Sequence, residues 1–133
     1  MGASFLRGAA VTNIGRTYIV LGLIWLVVGT IFGTWLGASN HLQYANAHAH
    51  TNLLGFVSSV LFGFMYLTYP TMQKSRLALP QLLLFEVGTV LLVIGKYYVG
   101  DGVDIPPLLI GGSLLIIVGV ILMLVLFWKH SAN

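Results

Sequence analysis

Four stretches of this chain, residues 17–36, 48–69, 81–98 and 107–128, stay apolar for about the twenty residues that a helix needs to cross a hydrocarbon core. Between them lie three short connectors, 37–47, 70–80 and 99–106, which carry the Gly, Pro, Asn and Asp that break helices. No connector is long enough to fold alone, so residues 1–133 are expected to form one all-α, four-helix transmembrane unit. Composition agrees: 58% of residues are hydrophobic and 7% charged, whereas a soluble domain is about a quarter charged and a disordered one is poor in hydrophobic residues. The bilayer is therefore the first partner the sequence implies.

Six Lys and Arg against three Asp and Glu give a net charge of +3, too sparse for a nucleic-acid surface but enough to set topology. Arg7 and Arg16 precede the first span, Lys74 and Arg76 lie in the second connector, and Lys129 follows the last span. The positive-inside rule then puts both termini in the cytoplasm and the 37–47 and 99–106 connectors outside, with the protein in the inner (cytoplasmic) membrane. The first span follows basic residues as a signal peptide does. Its apolar stretch is longer than a signal's core, however, and Leu36 spoils a small-residue cleavage site before Ser39, so an uncleaved helix is expected.

With this orientation the second span runs inward from the outer face, and His48 and His50 lie at or just below that surface. Imidazole is costly inside a membrane unless partnered, which makes the pair a candidate site. Residues two apart on an α-helix are separated by about 200°, so the two rings point to nearly opposite sides and serve different neighbours. His48 shares its stripe with Asn52, Gly55, Ser59, Phe62 and Tyr66, a small and polar surface. His50 shares its stripe with Leu53, Leu54, Val57, Leu61 and Phe64, an apolar wall suited to covering a porphyrin. Thr51 and Asn52 are near enough to orient an imidazole by hydrogen bonding. The bland alternative is that both rings are wet, hydrogen-bonded and without a ligand, as is expected of His41 and His130.

Glycine spacing carries a packing expectation. Gly29, Gly33 and Gly37, and likewise Gly55, Ser59 and Gly63, repeat every fourth residue, which flattens a helix face for close approach of a second backbone. Gly55 and Ser59 also leave room for a flat macrocycle. In the third span Glu86 is either a proton-handling group or a polar helix contact, and Lys96 is either a snorkelling anchor or a cation for a ligand's carboxylates. Trp25, Trp35 and Trp128 read as interfacial or lipid-facing aromatics with no chemistry. The chain has no cysteine, so disulfides, thiolate chemistry, iron–sulfur clusters and covalent c-type haem are excluded.

The sequence His48-Ala49-His50, followed by Asn52-Leu53-Leu54-Gly55-Phe56, Phe62-Gly63 and Tyr69-Pro70, resembles one helix of the haem–copper oxidase and nitric oxide reductase catalytic subunit. In that family the tenth transmembrane helix enters from the outer face with a His-x-His pair, continues through a Gly-aromatic step and often ends in aromatic-Pro. The resemblance covers about one helix. It implies that the first histidine ligates one haem and the second another, on opposite sides of the helix. The family's subunit has twelve helices in three arcs of four, with the ligands concentrated on the second helix of each arc. This chain resembles one arc, and a homotrimer would rebuild the ring by a closed cyclic contact.

The resemblance thus implies a non-covalent b-type haem in each pore, its iron held by His50 of one copy and His48 of the next. Asn52 and Gly55 would line the site, and Lys96 would meet the haem's carboxylates. No adjacent His-His pair is present, so the family's copper ligands are missing, and two histidines on one iron leave no open position for oxygen. The expected function is electron transfer by a membrane cytochrome b, with a redox partner or quinone. Two alternatives stand beside it: a gas-binding haem or metal site with an open position, since copper or zinc accepts the same imidazoles, and a cofactor-free accessory or assembly subunit of a respiratory complex.

Overall fold

The computed structural model describes residues 13–132, so Arg7 of the topology argument lies outside the described residues. Four helices are long and apolar enough to cross a membrane. They are α1 (Ile14–Ser39), α2 (Leu42–Thr68), α4 (Ala78–Gly100) and α5 (Pro106–His130), with a single short turn of helix, α3 (Pro70–Gln73), between the second and third. Each extends beyond its expected span at one end or both. The largest difference is at α2, which begins six residues before His48, so that the connector expected over 37–47 shrinks to a sharp corner at Asn40 and His41. Asn40 takes the left-handed conformation (φ 57°) and its N–H caps the Leu36 carbonyl, a position that asparagine tolerates better than most residues. Proline opens α3 and α5, where the missing N–H costs nothing.

The helices associate as two pairs, α1 along α2 and α4 along α5, joined chiefly by α2 against α4. Glycines set the close approaches. In the α4–α5 pair, a Cβ on Gly88 would stand 2.8 Å from the Gly112 carbonyl oxygen, and one on Gly119 would stand 3.0 Å from the Phe85 nitrogen. In the α1–α2 pair, Gly15 and Gly63 face each other at 2.8–2.9 Å by the same measure. The expectation of close packing along Gly55, Ser59 and Gly63 therefore holds, but in α1 the contact face is Gly15, Gly22, Gly29 and Gly33, whereas Gly37 faces open space.

Helix α2 is not uniform. A 3₁₀ turn (Leu42–Tyr44) leads into an α-helical turn (Ala45–His50), then a π-helical segment (Thr51–Ser58), then α-helix again (Ser59–Thr68). The π segment has a consequence for register. Ala47, Thr51, Gly55, Ser59 and Gly63 are all buried although they recur strictly every four residues. In a pure α-helix that spacing overshoots a full turn by about 40° per step and would wind off the interface. The wider π turn, with its i→i+5 bonding, takes up the overshoot and keeps these small residues on one face. Ser58 and Ser59 hydroxyls reach back five residues, to the Leu53 and Leu54 carbonyls, in keeping with that geometry.

Candidate functional site

His48 and His50 leave α2 on different sides. His50 donates from Nδ1 to the Asn46 carbonyl one turn back, at 2.8 Å. That bond puts the proton on Nδ1 and leaves the Nε2 lone pair directed away from the backbone. Of the apolar residues of its stripe, Leu53, Val57, Leu61 and Phe64 are exposed on the outside of the bundle, whereas Leu54 is partly buried against the core. Of the two neighbours expected to orient an imidazole, Asn52 bonds the His48 ring at 3.2 Å, and neither bonds His50. The His50 acceptor is a backbone carbonyl four residues earlier, which is available to any helical histidine and leaves no mark in side-chain composition. Thr51 instead closes on the Ala47 carbonyl at 2.9 Å.

His48 turns inward against α1. A Cβ on Gly33 would lie 2.6 Å from its Cε1 and 3.0 Å from its Nε2, so the ring occupies the space that the glycine leaves. Phe32 meets it edge-on, with ring centroids 6.0 Å apart. Asn52, one turn along, lies over Gly29 and donates to His48 Nε2 at 3.2 Å. Two buried polar atoms in this pair have no partner among the described residues, His48 Nδ1 and Asn52 Oδ1. With Nε2 accepting, Nδ1 carries the proton, so one orphan is a donor and the other an acceptor, an arrangement that buried polar groups rarely keep. The face of Gly55 is covered by the Trp25 indole: a Cβ there would stand 2.5 Å from the ring. Lys96 lies one residue before Tyr97, whose ring stacks on Tyr44 of α2 at 4.5 Å, so Lys96 is at the same end of the bundle as the histidines. Among the described residues, no group of three His, Asp or Glu side chains is placed to hold a metal ion.

At this end the aromatic rings form a continuous cluster. Trp35 stacks on His41 at 4.8 Å and on Tyr44 at 5.9 Å, and the Tyr44 hydroxyl bonds to Asp101 across the two corners of the bundle. His41, expected as a plain exposed side chain, is half-buried and bonded through Nδ1 to the Ser39 hydroxyl at 2.7 Å. An apolar cavity of about 520 Å³ opens beside the cluster between α1, α2 and α4, lined by Phe32, Trp35, Ala47, Thr51, Ile94 and Tyr97.

A second polar group is concentrated in the middle of the bundle. Glu86, only 8% exposed, receives the Ser59 hydroxyl at 2.6 Å on one oxygen and the Trp25 indole N–H at 2.9 Å on the other, so its carboxyl ties α1, α2 and α4 together. Trp25 therefore does have a polar role, unlike Trp128, which is 78% exposed at the end of α5. Nearer the α3 end, Gln81 accepts from the Tyr18 and Tyr66 hydroxyls at 2.8 and 3.1 Å and donates to the Gly119 carbonyl at 3.1 Å, linking all four long helices. The sequence reading gave Gln81 no part beyond opening a span. Its spacing of five from Glu86 was visible, but partners 15, 38 and 63 residues away were not.

Compared with known proteins, the chain matches no family model, no curated protein and no solved structure.

Proposed function

We propose that this chain is a membrane-embedded b-type haem-binding protein that transfers electrons. The observation that carries the reading is the Nδ1–H···O=C bond from His50 to Asn46 at 2.8 Å, which leaves Nε2 free on an exposed apolar stripe, the preparation an axial imidazole needs. An outward ligand on a lipid-facing wall calls for a cofactor covered from the other side, and a second copy of the chain supplies such a cover. This favours the cyclic homotrimer with haem between subunits. In that assembly the second axial ligand is a neighbouring copy's His48, whose ring must swing out from over Gly33 and give up its packing there, its edge contact with Phe32 and its 3.2 Å bond to Asn52. The orphaned Nδ1 of His48 and Oδ1 of Asn52 lower the cost of that movement. The basic residues Arg16, Lys74, Arg76 and Lys129 support an orientation with both termini in the cytoplasm and the histidines toward the outer face of the inner membrane.

Purified protein from cells supplied with iron and haem precursor is expected to show sharp reduced α and β bands and a b-type pyridine haemochrome. His50→Ala should lose the bands, because the His48 that remains is held over Gly33 of its own copy, and His48→Ala should convert them to a high-spin spectrum, because the iron then keeps the outward His50. Colourless wild type, with haem supply shown adequate, overturns the reading. A stable haem-loaded monomer by native mass measurement overturns the placement between subunits. One observation favours the cofactor-free accessory subunit instead: His48 fills the Gly33 groove as a packing element. That reading expects colourless wild type and variants, with His50→Ala assembling normally and His48→Ala losing the packing its ring gives over Gly33.

A further inference from the structure

Glu86 has a feature that the haem reading does not use. It lines, with Trp25, a cleft of about 380 Å³ between α1 and α4 whose other walls are apolar, among them Leu21, Ile24, Val90 and Leu91. The rim is on the outside of the bundle, with Ile24 and Val90 exposed at 54% and 42%, so the cleft opens sideways to lipid. Both of the carboxyl's bonded partners, the Ser59 hydroxyl and the Trp25 indole N–H, donate to it and neither carries a charge. Lys96, the cation on its own helix, is ten residues away, about 15 Å along the axis. Two donors and, among the described residues, no counter-charge describe a site prepared for a carboxylate that still lacks the positive partner a buried charge requires. An indole beside the cleft adds a surface that attracts organic cations. We infer that Glu86 and Trp25 form a binding site for a lipophilic organic cation, a quaternary ammonium or phosphonium whose apolar groups fill the cleft and whose charge pairs with the carboxylate.

Tetraphenylphosphonium is a suitable probe, titrated by calorimetry into the purified protein in mild detergent. Saturable binding is expected, with one site per chain. Glu86→Gln keeps the shape and the acceptor oxygen but removes the charge, and should weaken binding about tenfold or more. Trp25→Phe should weaken it less, since an aromatic face remains. Glu86→Gln that binds the probe as well as wild type overturns the inference, provided size-exclusion shows it folded. Should that variant fail to fold, wild type is treated with the lipid-soluble dicyclohexylcarbodiimide and the modified residue is located by mass spectrometry. Modification at Glu86 that tetraphenylphosphonium slows supports the site. A carboxyl that reacts equally fast with and without tetraphenylphosphonium overturns it. None of these readouts depends on haem, so the failure of one proposal leaves the other standing.

Discussion

Adjacent glycines in α5 offer a test in which bilayer depth and helix propensity are held constant. A Cβ added to Gly112 would stand 2.7 Å from the Leu92 nitrogen, 2.9 Å from the Gly88 carbonyl oxygen and 3.1 Å from the Leu92 Cα. All three are backbone atoms of α4, so no rotamer change relieves the overlap and the two helices must part. Ordinary contact between such atoms needs about 3.5 Å, so the seam opens by roughly 0.5–1 Å, a gap that forfeits a quarter to a half of each dispersion contact along it. The expected penalty is about 1–3 kcal/mol, the range for overpacking a close-packed interior. A Cβ on Gly111 meets nothing within 4 Å. Both substitutions receive the same gain of up to about 1 kcal/mol for replacing a helical glycine by alanine. Gly111→Ala should therefore be neutral to slightly stabilising, with Gly112→Ala less stable than it by about 1–3 kcal/mol. Unfolding by sodium dodecyl sulfate in mixed micelles, followed by circular dichroism, measures the difference. Equal midpoints for the two variants would refute the claim that α4 and α5 touch backbone to backbone at this crossing.

Gln81→Leu removes the acceptor shared by Tyr18 and Tyr66 and the donor to Gly119, and at about 0.6 kcal/mol per hydrogen bond in a membrane interior it should cost about 2 kcal/mol in the same unfolding assay; a loss no larger than that of an exposed substitution such as Leu83→Ala would remove Gln81 from its linking role. Topology is open to a direct measurement because the chain has no native cysteine. A membrane-impermeant maleimide should label Val103→Cys in intact cells and Lys74→Cys only after the membrane is opened, and the opposite pattern inverts the orientation.

How much of this was legible beforehand differs from residue to residue. Hydropathy is a property of each residue summed over its neighbours, so the four spans and the breaks between them followed from the sequence without knowledge of any contact. Small residues four apart also announced α2's contact face, because such spacing lets a neighbouring helix approach closely, although in α1 the same spacing ran on to Gly37, which faces open space. The histidines' divergence was legible for the same reason: it depends on helix geometry alone.

What the sequence left undecided was which way each face turns and what fills it. Gly33 reads as a packing groove in either case, and only the docking of α2 on α1 decided that the His48 ring occupies it. Gly55 left room for a flat ring of some kind, and the tertiary structure supplied Trp25. Glu86 was ambiguous as a lone carboxyl, since its meaning lies in Ser59 and Trp25, 27 and 61 residues away on other helices. The π segment, which keeps residues 47 to 63 on one side, has no composition of its own and exists because packing against α1 rewards that register. Sequence alone determined that the chain is a set of helices long and apolar enough to cross a membrane, with a histidine pair toward the start of the second, because hydropathy acts on each segment separately. The inward packing of His48 and the carboxyl at the cleft were decided by helices meeting side by side, since each depends on atoms that only the fold brings within bonding distance.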